Sequence, residues 1–218
     1  MKKPIILFGL LALMFSCAQH RAYDTAQFRE REFVSGQITL SEGGLTEEQI
    51  NVIMSTKPPL KFPVDISIIA VIDSYIENEM EQIFLSQIIE QMKESQNIER
   101  IVPIPKYLVP ERVSFPIIQE LGIRTLAEYV IVFILDAESF FRQTKILETK
   151  FEITSAAEFI IVDTQTTAIL TSDRLFSQNI YQENIFKVGE KKKAQEEVFA
   201  EQGKLLGQKL FSLFTSAE

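Results

Sequence analysis

The spacing of apolar residues along the middle of the chain changes in a way that predicts alternating strands and helices. Residues 66–72 form a nearly continuous β-branched run, which is typical of a strand covered on both faces. From Ile76 to Met92 the apolar residues recur at helical spacing, with glutamates between them. A strand followed by a helix is the beginning of a βαβ unit.

The next segment repeats this order. A short strand over residues 100–104 ends in a proline-rich loop. Ser114 can cap a helix that accepts Pro116 in its first turn and runs towards Glu128. Residues 129–136 are the most apolar strand and are expected at the centre of the sheet. Three strands separated by two helices imply right-handed crossovers and parallel pairing.

The pattern then changes to antiparallel pairing. Residues 149–163 and 167–177 are both strand-like, and the few residues between them leave no room for a helix, so they must form a hairpin. A final helix places Phe199, Leu206 and Leu210 on one face. We therefore predict an α/β fold with a mixed sheet of about five strands, ordered β-α-β-α-β, hairpin and C-terminal helix. This order of elements resembles the anticodon-binding-like folds, which implies two or three layers.

The N-terminus has the layout of a secretory signal peptide. Two lysines precede an apolar run over residues 5–15, and Ser16 stands directly before Cys17. The run is too short to span a bilayer, which takes about 20 residues. A cysteine at this position resembles the lipobox of bacterial lipoproteins, although Met14 and Phe15 depart from its usual pattern. We predict a signal peptide over residues 1–16 and lipidation of Cys17; the alternative is an incidental thiol beside an ordinary cleavage site.

Residues 17–60 are mostly polar and are predicted to form a tether. A capping box formed by Thr46 and Gln49 predicts one short helix near residues 46–54. Residues 61–218 then form a single α/β domain.

Charge and composition exclude several classes of function. The chain has 22 basic and 30 acidic residues, and removal of residues 1–16 takes two lysines away, which leaves a formal charge of −10. An acidic surface disfavours nucleic acid as a partner. The only histidine, His20, lies in the predicted tether beside the only cysteine, Cys17. We therefore expect no metal site, no cofactor and no histidine-dependent catalysis in the domain.

Four stretches carry a resemblance to a known family: "FPVDISIIAVID", "IERIVPIPKYLVP", "TLAEYVIVFILDAESFF" and "TSAAEFIIVDTQTTAI". Over residues 62–178 the chain resembles the rhombotarget lipoproteins, and more distantly the curli secretion lipoprotein and the N-terminal domain of the Tol-Pal translocation protein. In such families the last stretch ends in a Val-Asp-x-x-Thr-Gly turn; here Thr167 stands where the glycine would be. The resemblance implies a small exported lipoprotein of undefined activity.

Four polar residues are weak candidates for ligand or partner contacts. Asp136 and Glu138 are expected just beyond the carboxyl end of the central strand, where open α/β sheets bind ligands. An acid pair at this position is more often simply solvated. Asp163 and Thr164 mark the hairpin turn, where an aspartate more often caps its own turn. No catalytic residue is predicted.

We expect a non-enzymatic protein of the bacterial cell envelope, held by its N-terminal lipid. Ala18 follows the cysteine, which by resemblance to lipoprotein sorting rules implies the outer membrane, facing the periplasm, although surface exposure stays open. Its partner would be another envelope protein. Two alternatives stay open: an envelope hydrolase using carboxylates near Asp136 and Glu138, and an oligomeric subunit of a secretion-type assembly.

Overall fold

The fold is taken from a computed structural model, which describes residues 38–39, 46–55, 62–72, 76–110, 112–145, 148–184 and 189–215. All of them belong to one compact unit, Phe33–Glu218. The predicted signal peptide over residues 1–16, the lipidation site Cys17 and most of the predicted tether lie outside the described residues.

Seven strands and four α-helices follow one another along the described chain. In order they are β1 (Ile38–Thr39), α1 (Glu47–Ser55), β2 (Val64–Ile72), α2 (Asn78–Met92), β3 (Ile98–Pro103), a 3-10 turn (Lys106–Leu108), β4 (Val113–Ser114), α3 (Phe115–Arg124), β5 (Tyr129–Lys145), β6 (Glu148–Asp163), β7 (Ile169–Asn184) and α4 (Glu190–Thr215).

Five strands form one mixed sheet in the order β3-β2-β5-β6-β7. β2 lies parallel to both β3 and β5, because helices α2 and α3 carry the chain back between these strands. β6 and β7 are antiparallel to their neighbours. The predicted α/β fold with a five-stranded mixed sheet, a hairpin and a C-terminal helix is therefore confirmed. Separately, β1 and β4 form a two-residue parallel ladder.

Helices α2 and α4 cover one face of the sheet and enclose the larger core. Its centre is aromatic: the ring of Phe133 on β5 meets Phe84 on α2 edge-on at 5.7 Å and Phe159 on β6 at 6.2 Å. The two helices approach closely at Gly203, where a Cβ atom would stand 2.5 Å from the carbonyl oxygen of Phe84. No side chain fits there, so glycine determines the spacing of the two helices.

Helix α3 covers the other face, which gives three layers across the central strands. Its core is aliphatic and includes Ile69 on β2, Val130 and Val132 on β5, and Ile118 on α3. At Gly122 a Cβ atom would stand 2.7 Å from a methyl group of Val130. This glycine brings α3 close to the amino end of β5.

Three predicted boundaries are wrong, and the second hairpin strand, predicted to end at residue 177, continues to Asn184. The other two concern the elements on either side of the α3–β5 turn. The strand expected over residues 129–136 continues to Lys145, because β6 pairs with β5 along almost its entire length. The helix expected to run towards Glu128 ends at Arg124, since Leu126 adopts a left-handed conformation with φ of 58°. The differences at β5 and α3 bear on the candidate sites below.

Candidate functional site

Two turns lie side by side at the end of the sheet where β5 begins. One joins α3 to β5 over residues 125–128, and the other joins β6 to β7 over residues 164–168. The register places Tyr129 opposite Asp163, and the backbone N–H of Thr164 donates to the carbonyl of Glu128 at 2.9 Å. We call these two segments together the turn site.

Asp163 organises the hairpin turn through its side chain. Its Oδ1 atom accepts hydrogen bonds from the backbone N–H of Gln165 at 3.0 Å and of Thr166 at 2.7 Å. The hydroxyl of Thr166 donates to the same oxygen at 2.8 Å. These bonds agree with the interpretation that Asp163 caps its own turn.

Thr167 closes the same turn in an unfavourable backbone conformation. Its φ is 62°, and its N–H donates to the carbonyl of Asp163 at 2.8 Å. A β-branched residue is rarely found at positive φ, because its Cβ substituents crowd the backbone. A φ near 60° is a conformation that glycine adopts without steric cost, so the turn has a backbone suited to glycine but carries a threonine.

Thr164, the other predicted contact in this turn, is buried. Its exposed fraction is 4%, and its Oγ1 atom has no hydrogen-bond partner. The side chain lies beneath Gly122 of α3, where a Cβ atom would be 2.7 Å from that oxygen. Thr164 therefore packs between α3 and the hairpin and is not presented at the surface.

The turn after α3 ends the helix with a leucine in the position that usually holds glycine. The N–H of Ala127 donates to the carbonyl of Gly122 at 3.0 Å, and the N–H of Leu126 donates to that of Ile123 at 3.1 Å. This pair of bonds is a Schellman motif, in which the left-handed residue is commonly glycine. Leu126 occupies that residue, and its side chain is 76% exposed.

Ile123, one helical turn earlier, is also exposed, at 57%. It borders a shallow groove of about 310 Å³ on the outer side of α3, which is lined by Pro116, Gln119, Glu120, Ile123 and Arg124. The ion pair between Glu120 and Arg124 forms part of this groove. Ile123 thus gives the groove an exposed apolar side chain, beside the charged groups of the ion pair.

Hydrogen bonds from the neighbouring strands hold the α3–β5 turn in place. The carboxylate of Glu128 accepts the backbone N–H of Asp65 at 2.6 Å, and Arg100 donates to the carbonyl of Thr125 at 3.1 Å. Arg100 also forms an ion pair with Asp65, and the hydroxyls of Thr125 and Ser67 share a hydrogen bond of 2.6 Å. The backbone that presents Leu126 is therefore well anchored.

The carboxylates of the turn site affect a neighbouring tyrosine. Burial raises the pKa of the Tyr129 phenol above its usual value, and the negative charges of Asp163 and Glu128 raise it further. Tyr129 therefore stays protonated and neutral well into the alkaline range, and it does not supply a phenolate nucleophile near neutral pH.

The predicted acid pair Asp136 and Glu138 lies within strand β5 and not in a loop beyond it. The two residues are opposite Ala156 and Thr154 of β6. The expectation that they follow the strand is wrong, because the hairpin extends β5 by nine residues past Asp136. Within the part of the chain that the structure describes, no group of three or more His, Cys, Asp or Glu residues is placed to hold a metal ion.

The exposed pair Ile123 and Leu126 was not identified from the sequence. Its signal was present: the segment after α3 reads Thr-Leu-Ala-Glu, with no glycine or asparagine to end the helix. Helices commonly end with a residue in the left-handed conformation, and without glycine or asparagine that residue must carry a larger side chain, as Leu126 does here.

Comparison with known proteins identifies a partial likeness and no family. No family model matches the chain, and no curated protein matches it. The rhombotarget resemblance therefore stays a prediction.

Among solved structures, the chain is similar to several bacterial lipoproteins. A minor lipoprotein from Acinetobacter baumannii is 10% identical, with a TM-score of 0.41 over 72% of this chain and 94% of that one. The rare lipoprotein B from Shewanella oneidensis is 13% identical, with a TM-score of 0.39 over 70% and 94%. Lipoprotein GNA1162 from Neisseria meningitidis is 12% identical, with a TM-score of 0.35 over 71% and 99%. At these values the likeness assigns neither a family nor an activity. Among the described helices, none is both long and apolar enough to cross a membrane.

Proposed function

We propose that this chain is a lipid-anchored, non-enzymatic protein of the bacterial cell envelope that binds another envelope protein through its turn site. In this proposal acyl chains on Cys17 hold it in the outer membrane, and the domain faces the periplasm. Support for the anchor comes from the order of Lys2, Lys3, the apolar run over residues 5–15 and Cys17. Several acyl chains would hold the protein firmly, whereas a single chain binds membranes only marginally.

The observation that carries the partner role is Leu126. A leucine at positive φ costs about 1 to 2 kcal/mol of backbone strain, and a leucine that is 76% exposed recovers little by burial. Leu126 is therefore unfavourable both in its backbone conformation and in the exposure of its apolar side chain, yet hydrogen bonds of the neighbouring residues hold it in place. Such a residue is typical of a functional surface. Ile123 beside it enlarges the exposed apolar area.

The anchor is tested by Cys17→Ser in the full chain. We expect this variant to lose palmitate label and to leave the membrane fraction or remain unprocessed, because lipid and not the fold holds the protein there. Ala18→Ser, which keeps the cysteine, is the matched control and should stay labelled. If the Cys17→Ser protein still carries palmitate and stays in the membrane, the lipidation proposal is wrong.

The partner role is tested by crosslinking in the native envelope followed by mass spectrometry. Leu126→Gly removes the apolar side chain and suits the left-handed backbone, so the fold should be retained. We expect the yield of the crosslinked partner to fall at least about fivefold, as for an interface anchor. Tyr107→Ser removes a side chain that is 85% exposed on the 3-10 turn and should leave the yield unchanged. Equal yields from both variants would argue against the turn site as the binding surface.

A further inference from the structure

Two neighbouring apolar side chains on the 3-10 turn are exposed to solvent. Tyr107 is 85% exposed and Leu108 is 51% exposed. We call these two residues the apolar tip. Single apolar residues are common on protein surfaces, so exposure alone does not identify a contact. The support of the tip and its place in the fold do.

Packing on both sides holds the apolar tip in place. Ile104 before it is buried, and Val109 after it packs against the aliphatic core beneath α3. The N–H of Val109 also donates to the carbonyl of Lys106 at 3.0 Å, which closes the turn. Because the flanking residues are fixed in the core, the turn presents Tyr107 and Leu108 outside it.

Contacts with α2 show at which end of the sheet the tip lies. Lys106 donates to Oδ1 of Asn78 at 3.2 Å and forms an ion pair with Glu81 at 3.3 Å. Helix α2 begins at Asn78, soon after the carboxyl end of β2. The turn site lies at the amino end of β2, where the N–H of Glu128 donates to the carbonyl of Asp65 at 3.0 Å. The tip and the turn site therefore lie at opposite ends of the sheet.

The N-terminal part of the chain enters the fold from the end where the tip lies. Strand β4 follows the 3-10 turn and leads directly into α3, which runs towards the turn site. β1 is parallel to β4, with Ile38 opposite Val113. The chain enters both strands of a parallel pair at the same end. The segment that leads from Cys17 therefore reaches Ile38 from the side of the tip.

We propose that the apolar tip lies on the bilayer surface, with the ring of Tyr107 at the level of the lipid headgroups and Leu108 beside it. The contact depends on the proposed lipid anchor, which brings the domain to the membrane, and it determines which end of the domain faces the lipid. Tyrosine is enriched at this depth because its ring is apolar and its hydroxyl is polar. The turn site then faces away from the membrane, where another envelope protein can reach it.

A weak contact is sufficient for this role because the domain is tethered. The chain from Cys17 to Ile38 spans at most about 70 Å when fully extended, which is long enough for either end of the domain to reach the bilayer. A linker holds the tip near the membrane at an effective concentration of about millimolar. A contact too weak to retain the protein can therefore still orient it. Loss of the tip leaves the acyl chains and the turn site intact, so the partner can still be captured.

The acidic start of α2 indicates which lipids fit the tip. Glu81 is paired with Lys106 and Glu79 is paired with Lys192, while Glu77 is exposed. Lysines that are already paired offer little attraction for anionic headgroups. We therefore expect an apolar contact with zwitterionic lipid such as phosphatidylethanolamine, and we expect added salt to leave it unchanged.

Tryptophan fluorescence tests the contact directly. The chain contains no tryptophan, so Tyr107→Trp introduces a single one at the tip. The full lipidated chain is reconstituted into vesicles of phosphatidylethanolamine and phosphatidylcholine, with and without bromine on the acyl chains. Bromine should reduce the emission at least about twofold, because a ring about 5 to 10 Å deep in the interface lies close to the acyl chains. Ile123→Trp, 57% exposed at the turn-site end, is the matched control and should change little.

Cysteine labelling tests the same contact in native membranes. Leu108→Cys in the full chain should lose most of its reactivity towards a membrane-impermeant maleimide in open membrane fragments, because lipid covers it. Dissolving the fragments in detergent should restore the reactivity, since the residue is exposed in the domain itself.

Three outcomes would overturn the proposal. Emission from Tyr107→Trp that brominated lipid does not reduce, or reduces no more than that from Ile123→Trp, would show that the tip does not meet the bilayer. Protection of Leu108→Cys in native membranes without quenching in pure lipid would assign the tip to a protein. A wild-type chain that does not float with the vesicles contradicts the anchor itself, and the contact with it. A chain that floats with an unquenched tip contradicts the contact alone.

Discussion

On each face of the sheet a glycine allows two elements to pack closely, but the atoms that the glycine approaches differ between the faces. On the α2/α4 face, Gly203 lies against a backbone carbonyl, that of Phe84. On the α3 face, Gly122 lies against side-chain atoms of Thr164 and Val130. A backbone atom inside a packed helix can move only with the helix, whereas a side chain can rotate. The cost of filling each contact therefore depends on the neighbour and not on the glycine.

We expect the largest loss of stability from Gly203→Ala. The added methyl group must displace the Phe84 carbonyl, so the free energy of unfolding should fall by about 2 to 4 kcal/mol despite the better helix propensity of alanine. Chemical unfolding followed by circular dichroism measures this. Gly207→Ala on the same helix is the comparison, because there the methyl group would meet Cβ of Gln91 at 2.8 Å and Cα of Ile88 at 3.1 Å, which are also fixed to the α2 backbone but lie farther away than the Phe84 carbonyl. A loss from Gly207→Ala at least as large as that from Gly203→Ala would contradict this ranking of the two contacts.

A smaller loss, of about 1 to 2 kcal/mol, is expected from Gly122→Ala. The methyl group would meet Oγ1 of Thr164 at 2.7 Å. A second substitution that removes this oxygen should relieve the contact. Thr164→Ala in the same protein should therefore recover part of the loss, which a double-mutant cycle measures as coupling between the two sites. Strictly additive effects would show that the side chain of Thr164 is not what opposes the methyl group, which leaves Val130, also at 2.7 Å, as the obstacle.

Removal of the cap in the hairpin turn should cost about 0.5 to 2 kcal/mol. Asp163→Ala leaves the N–H groups of Gln165 and Thr166 without their acceptor. Asp163→Asn keeps an acceptor oxygen at the same place and should lie close to wild type. Partner crosslinking through Leu126 should survive the alanine change once the protein is folded. If crosslinking disappears while the melting temperature is unchanged, Asp163 is a contact residue and its role as a cap is secondary.

The smallest effect is expected at Thr167, and it has the opposite sign. Thr167→Gly relieves the strain at φ of 62° but increases the freedom of the unfolded chain, so we expect a net gain of about 0.5 to 1 kcal/mol. Thr171→Gly, within strand β7, has no such strain to relieve and should destabilise the protein. A loss of stability at both positions would mean that the threonine side chain at 167 contributes more than the strain costs.

The sequence by itself determined the order of elements and the change from parallel to antiparallel pairing. Apolar spacing distinguishes the continuous run of β2 from the helical period of α2, because each pattern reflects which side chains a regular backbone can bury. The hairpin followed from chain length alone, since the residues between Asp163 and Ile169 are too few for a crossover. The tendency of Asp163 to cap its own turn was also readable locally.

Only the tertiary structure decided where the elements end and which residues face outwards. β5 continues to Lys145 through polar residues such as Asp136, because β6 supplies its hydrogen bonds and overrides the local pattern. Thr164 is buried because α3 comes close at Gly122, and Leu126 is exposed because α3 ends before it. Each of these depends on atoms distant along the chain, which local periodicity does not record.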